Sequence, residues 1–193
     1  MTIHIRSLGS EDLGRISEID RSEEIEVEYV QDGEQLIAQP ATMTSVPDFF
    51  PSGESHSVPE LIETWRPVVL AGGCLIGAFE GSTLVGMALL GAELSPGVLQ
   101  LALLYVSRPH RRNGVATALM EELESRAREV GARALYVSAV PTDSAVGFYL
   151  AHGFSPTVPL PGPFEEEPDD IHMLMPLVPT SPPAGGGSPR VPG

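Results

Sequence analysis

The sequence predicts an α/β fold. Three observations carry this reading: apolar segments of strand length recur along the chain, two pairs of them are joined by tight turns, and two others run directly into amphipathic helical segments at 103–117 and 135–151. A chain of 193 residues suits one well-buried domain, placed over residues 1–177. Residues 178–193 are mostly Pro, Gly and Ser with little to bury, which predicts a disordered tail.

Residues 2–6 alternate like a strand, and Ser10-Glu11-Asp12 opens a helix with Ser10 as candidate N-cap and acids in the first turn. Residues 25–39 read as a hairpin turning at Gln31-Asp32-Gly33-Glu34. A long loop from Pro40 to Ser57 holds Phe49-Phe50 and ends in a capping-box pattern, Ser57 to Glu60, that starts a helix through Trp65. Strands follow at 73–79 and 83–90, joined by Glu80-Gly81-Ser82, and at Val98–Val106. Helix 114–130 places Val115, Leu119, Leu123 and Val130 on one side and stops at Gly131. Leu135–Val140 is a strand, Pro141-Thr142-Asp143 starts the helix that carries Tyr149, and Ile171–Leu177 is a final strand.

Apolar residues make up 42 % of the chain, a globular value. Apolar runs are interrupted well before the ~18–20 residues of a membrane span, and no basic-then-apolar leader opens the chain. A net charge of −15 argues against nucleic-acid binding, which needs a basic surface. The lone Cys74 rules out an intrachain disulfide, reads as a small buried hydrophobe and fits a reducing, cytoplasmic compartment. His4, His56, His110, His152 and His172 lack ligand spacing, so no metal is implied.

Residues 103–117 carry the chemistry. A buried strand ends at Val106, a basic turn follows, and a helix begins near Gly114, whose first N–H groups and dipole suit an anion. Arg108, Arg111 and Arg112 bring three of the eleven positive charges to this turn, and lysine is absent from the chain. On spacing alone, the stretch reads equally as an ordinary strand-to-helix connection with solvated arginines. However, Arg111-Arg112-Asn113-Gly114-Val115-Ala116 resembles the (Gln/Arg)-x-x-Gly-x-(Gly/Ala) signature of the GCN5-related N-acetyltransferases, the GNAT family. About 30 residues later, Ala145-Val146-Gly147-Phe148-Tyr149-Leu150-Ala151-His152-Gly153-Phe154 resembles that family's closing helix and its Tyr-x-x-x-Gly-Phe ending.

The resemblance covers roughly residues 73–156. It implies a mixed, mostly antiparallel central sheet flanked by helices, and acetyl-CoA as co-substrate, moving its acetyl group to a primary amine. Leu104-Tyr105-Val106 would pair with the pantetheine arm, with the Val106 N–H as oxyanion donor. The backbone of Arg111 to Ala116, including Val115, would seat the pyrophosphate, with Thr117 adding a hydroxyl and the arginine side chains adding charge-assisted bonds. Tyr149 takes the position of the tyrosine that protonates the departing thiolate; without the motif it reads as a core residue beside Phe148. Asp143 and Ser144 fall near the cofactor, and Thr142 replaces an asparagine common in relatives. Gln100 stands where some members carry a glutamate base, and an amide cannot take that proton.

Glu26, Glu28, Asp48 and Glu93 are the remaining carboxylate candidates, with Glu26 and Glu28 taken as acceptor contacts. From Glu18 to Glu34 eight acids face one base, Arg21, and a second acidic run spans Glu165 to Asp170. Such clusters either steer a cationic acceptor, such as an antibiotic or polyamine, or serve as solubilising surface. The hairpin before them distantly resembles streptothricin-type acetyltransferases. A protein N-terminus or lysine as acceptor, a non-catalytic acyl-CoA sensor, and a homodimer are left open.

Overall fold

A computed structural model describes residues 2–54, 56–162 and 168–177; the expected tail at 178–193 and the run Glu165–Glu167 lie outside them. The strands are β1 (Ile3–Ser7), β2 (Glu23–Glu24), β3 (Val27–Asp32), β4 (Gln35–Pro40), β5 (Ser45–Val46), β6 (Cys74–Glu80), β7 (Thr83–Ser95), β8 (Val98–Val106), β9 (Ala134–Ala139), β10 (Ser155–Pro156) and β11 (Ile171–Pro176). The helices are α1 (Val58–Leu70), α2 (Val115–Glu129) and α3 (Asp143–Ala151). Seven strands form one sheet in the order β1-β6-β7-β8-β9-β11-β10. All its neighbours are antiparallel except β8 and β9. This is the mixed α/β architecture expected from the sequence.

Both faces of the sheet are covered, which explains the nearly unbroken apolar run from Leu84 to Leu90. On one face α2 inserts Val115, Leu119, Met120, Leu123 and Ala127, and α3 adds Val146 and Tyr149. On the other, α1 and the helical segment Ser10–Glu18 contribute Leu61, Leu13 and Ile16. Each fully buried leucine of this kind contributes about 2 kcal/mol of transfer free energy. The β6–β7 turn needs Gly81, whose φ is +61°.

Several elements depart from the sequence expectation. Ser10–Glu18 winds as a 3₁₀ helix around the poor helix former Gly14, and its cap is Gly9, whose N–H donates to Asp12 Oδ2 at 3.0 Å. The Ser57 hydroxyl makes no capping bond; Glu60 instead accepts the His56 N–H at 3.0 Å. Helix α1 runs past Trp65 to Leu70 because Val68 and Val69 still pack on the core. Val130 is 73 % exposed: it sits at the C-cap, where the backbone has left the helix, and Ala127 occupies the last inward position. The hairpin β3–β4 closes through Gly33-Glu34 as a ribbon separate from the main sheet, and the loop from Pro40 to Ser57 contains β5, which pairs with β2. Strand β9 stops at Ala139, leaving Val140 half exposed, and β11 stops at Pro176.

Candidate active site

Strands β8 and β9 pair at only three positions, Val98 to Gln100 against Ala134 to Tyr136. Beyond Gln100 they diverge, while β8 stays bonded to β7 as far as Val106. Val106 faces Gly86, and the next bond in the ladder runs from the Ser107 N–H to the Val85 oxygen at 2.9 Å. That pattern marks Val106–Gly86 as a non-hydrogen-bonded pair, so the Val106 N–H points away from β7 into the gap left by β9. Leu104, opposite Ala88, points its backbone the same way. The gap is therefore lined with main-chain groups that the sheet does not use.

At the end of β8 a short 3₁₀ turn, Arg108–His110, leads to Arg112 and Gly114, both in the left-handed region with φ of +61° and +78°. Gly114 is the N-cap of α2, and a Cβ built there would meet nothing within 4 Å. The backbone angle is what selects glycine, and the space beside it is open. The N–H groups of Val115, Ala116 and Thr117, at the start of the helix, have no intrahelical partner. Arg111 is engaged elsewhere: Nε donates to the Val106 oxygen at 3.2 Å, Nη2 to the Arg21 oxygen at 2.9 Å, and Nη1 lies 3.6 Å from Glu23. Arg108 Nη2 stands 3.9 Å from Glu24. Arg112 and Asn113 are exposed.

Helix α3 starts with Thr142, whose hydroxyl accepts the Ala145 N–H at 3.4 Å and lies 3.3 Å from the Ser144 hydroxyl. Tyr149, two turns on, is 7 % exposed and meets Phe148 and Phe154 edge-on at 5.4 and 5.2 Å between centroids. Burial holds its phenol well above the ordinary tyrosine range, and Tyr105 and Asp170 push the same way. Such a group keeps its proton at neutral pH. Thr117 Oγ1 lies 3.2 Å from His152 Nε2, which joins the start of α2 to the end of α3.

On the opposite face of the gap, Arg21 donates to the Tyr105 hydroxyl at 2.8 Å and stacks over Tyr105 and Phe49 at 4.9 and 5.2 Å. Asp48 accepts the Arg21 N–H at 2.9 Å. One end of the acidic segment is thereby tied to the β8 lip, where the Asp20 N–H also donates to Ser107 Oγ at 3.1 Å and the Arg108 N–H to the Asp20 oxygen at 2.7 Å. Its other end is tied to the far lip: the Tyr29 N–H donates to the Pro141 oxygen at 2.8 Å, Gln31 Nε2 to the Thr157 oxygen at 2.8 Å, and the His172 N–H to Gln31 Oε1 at 2.7 Å. The Ser22 hydroxyl, helped by Arg108 and Arg111, keeps the Asp20 carboxyl below its usual range.

Among the sequence-predicted carboxylates, Glu28 accepts from Gln39 Nε2 at 2.8 Å and from the Thr42 N–H and hydroxyl at 3.0 and 2.9 Å, contacts that lower its pKa and fix the hairpin. Glu26 is exposed and lines a shallow recess with Glu24, Pro40 and Thr44. Glu93 accepts the Gly97 N–H at 2.6 Å, within the β7–β8 turn. Asp143 accepts from the Tyr29 hydroxyl at 3.4 Å. Gln100 is the last residue of β8 paired with β9, at the closed end of the gap. Sequence reasoning did not single out Arg21 or Ser138; the alternation of Tyr136 and Ser138 in an apolar strand was the one available signal. Among the described residues no three His, Cys, Asp or Glu side chains gather as a metal site, and no helix is long and apolar enough to cross a membrane.

No curated protein sequence matches the chain. Solved structures share its fold: a nourseothricin acetyltransferase (20 % identity, TM-score 0.67, 92 % of this chain and 99 % of that one); the PaiA N-acetyltransferase from Thermoplasma acidophilum in complex with coenzyme A (19 %, 0.57, 91 % and 99 %); and a candidate streptothricin acetyltransferase from Bacillus anthracis in complex with acetyl coenzyme A (15 %, 0.66, 90 % and 96 %). The family model described as the acetyltransferase (GNAT) family matches residues 40–154. That span is more than half of the chain and takes in the divergent strands, the β8–α2 turn and helix α3, so the chain belongs to the GNAT acetyltransferases.

Proposed function

We propose that this acetyltransferase moves the acetyl group of acetyl-CoA to a primary amine on a small cationic molecule. The observation that carries the reading is the free Val106 N–H in the β8–β9 gap, combined with a buried, protonated Tyr149 on helix α3. The residues fit the co-substrate: the Leu104 main-chain groups and the Val106 N–H, unused by the sheet, suit an extended amide-bearing arm, and the open left-handed turn at Gly114 suits a pyrophosphate on the α2 N-terminus. Since Arg111 is tied to Val106, Arg21 and Glu23, its backbone rather than its guanidinium serves the anion.

In the reaction the amine lone pair attacks the thioester carbonyl carbon, forming a C–N bond, and the Val106 N–H stabilises the developing oxyanion. As the C–S bond breaks, Tyr149 gives its proton to the thiolate. The proton lost by the amine leaves through water. Structural neighbours named for nourseothricin and streptothricin, one of them holding acetyl coenzyme A, support a cationic acceptor, as do the acids of β2 and β3 along the gap. The single, partly buried Cys74 supports a cytoplasmic location. Mixing the protein with acetyl-CoA and a panel of amines, with free thiol as the readout, tests the reading. Thiol release with cationic amines is expected; tight CoA binding without release for any amine would make the chain an acyl-CoA sensor.

A further inference from the structure

Beyond Gln100, strand β8 sorts its side chains by face. Leu104 and Val106 join the core under α2 and α3, whereas Leu103 and Tyr105 join the opposite one. Tyr105 directly precedes Val106, and its hydroxyl accepts from Arg21 Nη1 at 2.8 Å. A second contact sets Arg21 beside the same lip: the Arg111 guanidinium donates from Nε to the Val106 oxygen at 3.2 Å and from Nη2 to the Arg21 oxygen at 2.9 Å. The Arg21 side chain lies against the Tyr105 and Phe49 rings, so two aromatic faces and one phenol fix its guanidinium on the face opposite α2 and α3. The acids around it are spent on other groups. Glu23 pairs with Arg111, Glu24 with Arg108, Asp20 accepts from Ser22, and Asp48 takes the Arg21 main-chain N–H. Among the described residues no carboxylate stands within ion-pair distance of the Arg21 guanidinium, and the Tyr105 hydroxyl is its one hydrogen-bond acceptor.

We infer that Arg21 receives a carboxylate of the acceptor, so that the acetylated amine belongs to a molecule carrying both amino and carboxylate groups, such as a diamino acid. This rests on the proposed acetyl transfer. A guanidinium has five N–H donors in a planar fork that matches a carboxylate, and Tyr105 uses only one edge of it. The side chain is partly exposed, so an anion from solvent can reach the remaining donors. Its fixed orientation lowers the entropy lost when that anion docks. A diamino acid is still cationic at neutral pH, with two ammonium groups against one carboxylate, and so falls within the acceptor class proposed above. Arg21 selects and orients the acceptor; the acetyl transfer itself proceeds as described, with the proton passing to water.

The test compares amines that differ only by the carboxylate, lysine against cadaverine and ornithine against putrescine, with spermidine added, using thiol release from acetyl-CoA by the full chain. A net charge of −15 favours the diamine of each pair on charge alone, so a preference for the amino acid isolates the arginine. The native enzyme is expected to show kcat/KM about tenfold or more higher for the carboxylate-bearing member. Arg21→Gln is expected to erase that preference by raising KM for the amino acids. Equal or better turnover of the diamines by the native enzyme, or turnover confined to amines without a carboxylate, overturns the role of Arg21 and needs no variant to fold. So does an Arg21→Gln enzyme in which both members of each pair move together, as a purely structural arginine would cause. Absence of thiol release by the native enzyme with the whole panel overturns the acetyl-transfer reading itself.

Discussion

His152 fixes the direction of the Thr117 hydroxyl. The ring's Nδ1 lies 2.8 Å from the Phe148 carbonyl oxygen, which can only accept, so Nδ1 carries the proton of the neutral ring. Nε2 is then an acceptor, and Thr117, 3.2 Å away, must donate to it. The hydroxyl that the family resemblance assigns to a phosphate therefore spends its proton between α2 and α3. Thr117→Val is expected to cost about 1 kcal/mol of unfolding free energy and to change CoA affinity by less than about twofold. Urea unfolding and calorimetric CoA titration check both halves.

Gly114 separates two effects at one position. With φ at +78° and nothing within 4 Å of a built Cβ, Gly114→Ala meets only the backbone penalty of a left-handed residue, about 1 kcal/mol of stability. Gly114→Glu adds a negative charge beside the α2 N-terminus and is expected to weaken CoA binding by about tenfold or more beyond the alanine variant. Equal CoA affinities for the two variants would contradict an anion seat at this turn.

Tyr149→Phe removes a proton donor from a site already closed to water. The expected result is a fall in kcat of about a hundredfold with KM for acetyl-CoA nearly unchanged. An undiminished kcat would remove Tyr149 from the chemistry.

Stability should have a plateau bounded on both sides by named residues. Burial holds the Tyr149 and Tyr136 phenols above their ordinary value of 10, so the folded state keeps protons that the unfolded chain releases; stability is lost as pH rises above about 10. Burial lowers His172 from its ordinary 6.5, so the unfolded chain binds a proton first and stability is lost as pH falls below about 6.5. Denaturant unfolding across pH 5 to 11 should show both edges, and Tyr149→Phe should soften the alkaline one.

Much of the fold was legible because its signals are local. Gly33, Gly81 and Gly114 mark turns through their own backbone angles, and the apolar spacing of α2 is set by what it packs against. The long-range pairing was not legible: nothing within β8 or β9 states that they meet at three positions and part, since pairing between strands some 30 residues apart leaves no local pattern in either. At the site, the turn and Tyr149 were visible as motifs. Arg21, Gln31 and Ser138 were not, because each acts through a partner 32 to 141 residues away. Arg111 shows the limit of charge counting: a cation in an anion-binding motif can be used to hold the chain to itself.

The stretch from Asp20 to Gln31 is fastened to Ser107 and Arg108 at one end and to Pro141, Thr157 and His172 at the other. A sheet parted along one seam would ordinarily be free to yawn or shut with every ligand. Here a bridge of chain sets the aperture in advance, and because that bridge is the most acidic part of the described protein, the same residues that gauge the doorway also give it its charge.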